Sequence, residues 1–406
     1  MVSDFASVKA RFEAGHPAPK GPYPDTFKPV LSRDAGKEAL STISAWRGYA
    51  ETPLVSLDAL AKATGVSRIF YKQEAGRFGL GSFKALGGAY AVYRLLAAFI
   101  EKETGTKPAP QDILDGRYAG IVSDVTVTCA TDGNHGRSVA WGARMFGCKA
   151  VIFIHATVSQ AREQAIASYG AKVIRTAGNY DDSVREAARM AAENGWHVVS
   201  DTSYPGYTDV PRNVMQGYSV MADEAERQLG NLRPTHIFIQ GGVGGLAAAV
   251  TAHFWEVLGV DAPVVTVVEP ETAACLLESA VAGKPTTVGG DLETIMAGLA
   301  CGEPSIIAWP ILDGGVSAFM AIPDDAVADT MRLLASGEAG ARLVGGESGV
   351  AGLAGYLVAS AKPEWRKELG LDENSVVLFF GSEGDTDPEL YQSIIGKSGK
   401  DVEAGE

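Results

Sequence analysis

Short apolar runs rich in β-branched residues alternate with amphipathic stretches from about residue 65 onward. The runs occupy residues 67–74, 125–130, 150–155, 172–177, 197–201, 236–240, 263–270 and 375–380. Between them lie segments such as ALGGAYAVYRLLAAFIEKE, SVAWGARMFG and SVREAARMAAENG, whose apolar positions recur at helical spacing. Strands that read as unbroken apolar runs are those covered by helices on both faces. The pattern predicts an α/β fold with mostly parallel, twisted sheets flanked by helices. Ligands in such folds sit beyond the carboxyl ends of strands, where the chain turns into a helix.

At 406 residues the chain exceeds what one core usually holds, so two domains are expected. Strand–helix units are densely spaced between 86 and 205. That segment is expected to be a smaller α/β domain inserted in a larger one made of residues 1–85 and 206–406. The first fifty residues are rich in proline, glycine and charge and are expected to wrap the surface; the tail after Ile395 is expected to fray.

A net charge of -14 argues against a nucleic-acid partner. No apolar run approaches the ~20 residues that span a bilayer, and MVSDFASVKARFEAGH lacks the apolar core of a signal peptide. The expectation is a cytoplasmic protein with no membrane partner. Cys129, Cys148, Cys275 and Cys301 show no CxxC spacing, so no metal site is expected. A disulfide between Cys275 and Cys301 is not expected in a reducing cytosol.

Residues 236–240 run into Gly241, Gly242, Val243, Gly244 and Gly245, then a helix. The amides of such a loop, with the positive end of the helix, form an anion site, and phosphate is the natural occupant. The same stretch satisfies GxGxxA (Gly242, Gly244, Ala247), and Glu269 closes the next strand, so a dinucleotide-dependent oxidoreductase is a competing reading. Against it, that fingerprint usually opens its domain, whereas here several units precede it. It also leaves Lys84 unexplained. This lysine heads an apolar helix between Phe83 and Ala85-Leu86. The positive helix end and desolvation would both lower its pKa, as an imine-forming amine requires.

In chain order, SFKALGGA, TDGNHG and GGVGG resemble the lysine, asparagine-loop and phosphate-loop motifs of fold-type-II pyridoxal-phosphate (PLP) enzymes, relatives of tryptophan synthase β and threonine dehydratase. Within that class the chain is most similar to the diaminopropionate ammonia-lyase family. The likeness rests on residues 78–92, 127–143 and 201–224, with 293–305, 345–349 and 381–387 adding to it. One departure is Tyr204-Pro205, where that family commonly has Trp-Glu; it bears on substrate preference.

The resemblance implies pyridoxal 5'-phosphate as cofactor and a homodimer. It makes Lys84 the imine-forming lysine and residues Gly241 to Gly245 the phosphate cradle. Asn134 would hydrogen-bond the cofactor's 3-hydroxyl, and Ser382 would face its pyridine nitrogen. His135 is expected to pack beneath the loop, and Glu347 to lie near the site or cap a loop. The dehydratases' Ser-x-Gly-Asn-His pattern carries a small or neutral residue at x, where this chain has Asp132. Asp132 reads either as a helix N-cap or as a proton-transferring group, the reading preferred here. Asp201 ends its strand and is assigned the same kind of role, each aspartate working if burial lifts its pKa toward neutrality.

The implied reaction is α,β-elimination of 2,3-diaminopropionate, L and D, to pyruvate and two ammonia. Lys84 would be base on one face and an aspartate, Asp132 ahead of Asp201, on the other. A dehydratase of serine, threonine or hydroxyaspartate is the alternative. It needs no anionic pocket for a leaving ammonium. A PLP-fold binding protein without turnover is the third reading, against which Lys84 and both acids argue.

Overall fold

The computed structural model describes residues 3–19, 21–178 and 180–405. Its strands are β1 (Arg11–Ala14), β2 (Leu54–Ser56), β3 (Arg68–Gln73), β4 (Thr126–Ala130), β5 (Lys149–Ile154), β6 (Lys172–Arg175), β7 (His197–Val198), β8 (His236–Gln240), β9 (Val264–Pro270), β10 (Ala318–Ile322) and β11 (Val376–Gly381). They form a seven-stranded sheet, ordered β1-β10-β9-β8-β11-β3-β2, and a four-stranded sheet, ordered β6-β5-β4-β7. The small sheet is parallel throughout, and in the large one only the edge strands β1 and β2 run antiparallel. Every residue of β8, β10 and β11 is buried, the condition for which their largely apolar sequences are suited. The fold is α/β, as the alternation of runs predicts.

The chain forms two compact units. One comprises Met1–Arg33, Glu51–Gly76 and Met221–Glu406 and holds the large sheet; the other comprises Asp34–Ala50 and Arg77–Val220 and holds the small one. In the first, the helix Ala351–Ala361 is apolar on every side and correspondingly buried from Ala351 to Ala359. In the second, the helices Lys84–Thr104 and Asn134–Phe146 approach so closely that a Cβ on Gly142 would stand 2.8 Å from the Cα of Ala89. Glycine is required there for the close approach of the two helices that begin at Lys84 and Asn134.

The first unit also encloses a charge pair with neither side chain exposed to solvent. Lys72 Nζ meets Glu224 Oε2 at 2.7 Å, and also donates to Thr52 O (2.7 Å) and Gln228 Oε1 (2.9 Å). Removing one partner strands the other charge in a low-dielectric interior. Lys72→Met is therefore expected to destabilise the protein by about 3–5 kcal/mol in chemical denaturation. Adding Glu224→Gln, which keeps an acceptor for the Thr52 amide (3.3 Å), should recover much of that loss. Losses that simply add would show that the two groups do not interact.

Candidate active site

In the second unit the carboxyl ends of the four parallel strands each deliver polar groups. Lys84 is the first residue of its helix, and no side chain caps the helix ahead of it. Its ammonium lies 5.4 Å from the centroid of the Phe83 ring and 5.8 Å from that of Tyr218, and donates to Asp201 Oδ2 at 2.6 Å. Only 17% of the lysine side chain and 18% of the aspartate side chain remain exposed. The carboxylate offsets the repulsion that the positive helix end exerts on the ammonium. Burial pulls the Asp201 carboxyl upward, but the charges of Lys84 and His135 and hydrogen bonds from Lys84 and its own backbone outweigh burial. They hold it below the usual carboxylate range. The condition set for Asp201 as a proton-transferring group, that burial lift its pKa toward neutrality, is not met here. With Lys84 charged, the ion pair wins.

The corner after β4 divides its labour among three neighbouring side chains. Thr131 Oγ1 accepts from the amides of Gly133 and Gly136, both at 3.0 Å, and so does the work of capping the helix that starts at Asn134. Asp132 is thereby spared that role. Its Oδ1 instead pairs with His155 Nε2 at 2.7 Å, just past the end of β5. His135 Nε2 bonds to Val199 O at 2.7 Å, so this nitrogen carries the proton, because a carbonyl only accepts. Its Nδ1 points toward Asp201 Oδ2 at 3.8 Å. Burial depresses the His135 pKa, and the opposing influence of Asp201 does not reverse this. Asn134 opens its helix half-buried.

Tyr204 lies beyond β7, is 48% exposed and stacks on Tyr207 with ring centroids 4.9 Å apart. Tyr207 Oη donates to Val198 O and accepts from the Ser200 amide, each at 2.9 Å. The Tyr204-Pro205 departure is thus part of a clasped turn in the segment that follows Asp201.

The first unit contributes a separate set of groups at the carboxyl ends of β8 and β11. Gly244 has φ +96, and a Cβ there would meet Leu312 Cδ1 at 2.8 Å. Both features restrict the position to glycine. Among the described residues, the amides of Gly242, Val243 and Gly245 have no acceptor from the protein, while the helix Gly245–Leu258 begins directly behind them. Ser382, buried just past β11, accepts at Oγ from Gln240 Nε2 at 2.5 Å. Gln240 ends β8, and the same amide also donates to Phe380 O at 2.8 Å. With its lone pair engaged, the Ser382 hydroxyl has its proton left to donate.

Glu269, the acid that would recognise a ribose in a dinucleotide site, is wholly buried. Its carboxylate accepts from the amides of Leu276 (2.9 Å) and Leu277 (2.8 Å), and burial pushes its pKa up to about 8 against those bonds. It is spent on a helix N-terminus, and the oxidoreductase reading loses its recognition residue. Asp223, Glu226 and His253 bring three atoms of metal-ligand type within 4.8 Å of one another. Arg227 (2.8 Å) and Arg33 (3.5 Å) already pair with the two acids.

His155 and Gln240 are the two site groups that sequence reasoning missed. A signal existed for the first. β4 and β5 pair with Ala130 opposite Phe153, and extending that register by two residues sets 132 opposite 155. For Gln240, the signal is a polar residue ending an otherwise apolar strand beside the glycine loop.

A family model described as "Pyridoxal-phosphate dependent enzyme" matches residues 45–381. The diaminopropionate ammonia-lyase of Escherichia coli (strain K12) is 39% identical over 373 residues, covering 90% of this chain and 92% of that protein. Two crystal structures of the Escherichia coli enzyme resemble this one, each at 36% identity over 96% of this chain and 97% of the other. The first, in complex with an aminoacrylate-PLP azomethine reaction intermediate, gives a TM-score of 0.85. The second, in complex with D-serine, gives 0.87.

Proposed function

The chain belongs to the pyridoxal-phosphate dependent enzymes, and on that premise we propose that it eliminates ammonia from 2,3-diaminopropionate, consuming one water and yielding pyruvate and two ammonia. The carrying observation is Asp132, an anionic side chain relieved of capping by Thr131 and set at the carboxyl edge of a parallel sheet. Ammonia departs only as a protonated amine, and a carboxylate near Cβ attracts and holds that ammonium. A hydroxide-expelling enzyme gains nothing from it.

The residues fit PLP on two grounds. Among the described residues, the amides of Gly242, Val243 and Gly245 are donors without a protein acceptor at a helix N-terminus, as a phosphate requires. The Ser382 hydroxyl retains a proton to donate, which suits an unprotonated ring nitrogen. When bound, the cofactor supplies the electron sink for the pair released at Cα. Lys84 would hold it through the amine, Gly241 to Gly245 at the phosphate, Asn134 at the ring hydroxyl and Ser382 at the ring nitrogen.

Lys84 takes the Cα proton on one face of the substrate and Asp132 on the other, so both enantiomers are used. Asp201 orients the lysine amine. The homodimer that the resemblance implies is part of this proposal; sedimentation at the mass of one chain would overturn it.

The test is a substrate panel of L- and D-2,3-diaminopropionate, serine, threonine and hydroxyaspartate, with oxo-acid and ammonia both quantified. Two ammonia per pyruvate from diaminopropionate, at higher kcat/KM than any hydroxy amino acid, is expected. Preference for a hydroxy amino acid would replace the reading with the dehydratase.

A further inference from the structure

The Asp132 carboxylate is held asymmetrically. His155 engages Oδ1, whereas among the described residues no donor engages Oδ2. A carboxylate only accepts, so His155 Nε2 carries the proton. The other ring nitrogen, Nδ1, is hydrogen-bonded to Thr157 Oγ1 at 3.0 Å. The result is a hydrogen-bonded chain of Thr157, His155 and Asp132 that ends on one carboxylate oxygen and, among the described residues, leaves the other unengaged.

The loop that carries the imidazole is clamped rather than merely adjacent. Arg175, the last residue of β6, sends Nη1 to the carbonyls of His155 (3.2 Å), Ala156 (2.9 Å) and Val158 (2.8 Å), and its Nη2 to Glu163 (2.6 Å). The Ala156 amide donates to Gly178 O at 3.1 Å, and the Tyr180 ring stands edge-on to the imidazole at 6.4 Å. On the other side Arg162 Nη1 donates to the backbone carbonyl of Asp132 at 3.3 Å. A casual surface pair has no such scaffold, and its side chains are not reduced to 16% and 28% exposure.

We propose that His155 is a positioning residue for the elimination. By fixing Asp132 Oδ1, it aims Oδ2 at the substrate and keeps that oxygen available to take the Cα proton. In that step the Cα–H bond breaks, the O–H bond forms on Oδ2, and the electron pair passes to the sink the cofactor supplies. The inference rests on the proposed function, in which Asp132 is the base for one enantiomer. Orienting a base through its second atom is a recurrent device, and loss of the orienting group lowers turnover more than binding.

The experiment compares kcat and KM for both enantiomers in His155→Ala, His155→Gln and Thr157→Val holoenzymes, with cofactor absorption as the control for intact sites. His155→Ala is expected to lower kcat roughly 10- to 100-fold for the Asp132-dependent enantiomer, with KM changed much less. The other enantiomer, for which Asp132 only holds the leaving ammonium, should lose far less. Glutamine, whose amide N–H reaches where Nε2 does, should restore most of the loss. In an Asp132→Asn background His155→Ala should cost nothing further.

Equal losses for both enantiomers, failure of glutamine to rescue, or additive losses in the Asp132→Asn background would each overturn the proposal. If His155→Ala does not fold, Thr157→Val carries the test: a smaller loss with the same enantiomer selectivity supports the proposal, and no selectivity overturns it. Should the wild type prefer serine to diaminopropionate, the substrate reading fails by itself. The His155 comparison is then made with L- and D-serine, on the same criteria.

Discussion

Lys84→Ala is expected to abolish elimination, lowering kcat by on the order of 10^4-fold or more, and to yield a folded protein without the yellow colour of a lysine-held cofactor. The expectation follows from where the amine stands. It heads a helix whose next residues, Ala85 and Leu86, are wholly buried, and it faces two aromatic rings and one carboxylate. An ordinary surface lysine snorkels to water; this one keeps 17% of its side chain exposed. Lys84→Arg separates charge from chemistry, since guanidinium preserves a cation beside Asp201 but is never a free amine. Turnover should remain absent in it. Turnover restored by arginine, or a wild-type protein that is colourless with PLP, would remove the lysine from its role.

The same pair gives the cofactor-free chain a pH signature. The folded Asp201 carboxyl lies below its ordinary value, so the pair's stabilisation is complete above the ordinary carboxylate range. It is lost as pH falls through the depressed value. Lys84→Ala should flatten that acid-side slope in thermal melts.

Much of this architecture is legible from local chemistry, and the remainder depends on neighbours distant in sequence. The β-branched runs at 236–240, 263–270 and 375–380 declare themselves as buried strands, and all three are. β10 escapes notice because AFMAI is built of alanine and methionine around one phenylalanine, residues with little strand preference apart from the aromatic and isoleucine. Edge strands β1 and β2 are three or four residues long and only partly buried, so no alternation stands out. Lys84 is readable because an amine at a positive helix end is out of place on electrostatic grounds alone. Thr131 and Asp132, by contrast, are both good N-cap residues. Which one caps is decided by geometry at the corner, and the partner that occupies Asp132 comes from just past the end of the next strand, 23 positions later. Local pattern carries no record of such a contact; strand register does.

Asp132→Asn is expected to lower turnover of one enantiomer of diaminopropionate by about 10^2- to 10^4-fold, the usual worth of a positioned general base, while the other enantiomer loses far less. Asparagine has the same shape and keeps an acceptor for His155, so the loop clamped by Arg175 should survive and cofactor absorption should match the wild type. What it lacks is an oxygen able to take a proton. The substitution therefore separates Asp132 from Asp201, whose contact is with the lysine. Asp201→Asn should impair both enantiomers, because it disturbs the amine that serves every turnover. The two faces of a planar reacting carbon are approached by different groups only if bases stand on both sides. Enantiomer-selective loss in one variant and shared loss in the other is the pattern that arrangement demands. Equal loss of both enantiomers in Asp132→Asn would mean that a single base serves both, and that the acid at position 132 acts on the leaving ammonium alone.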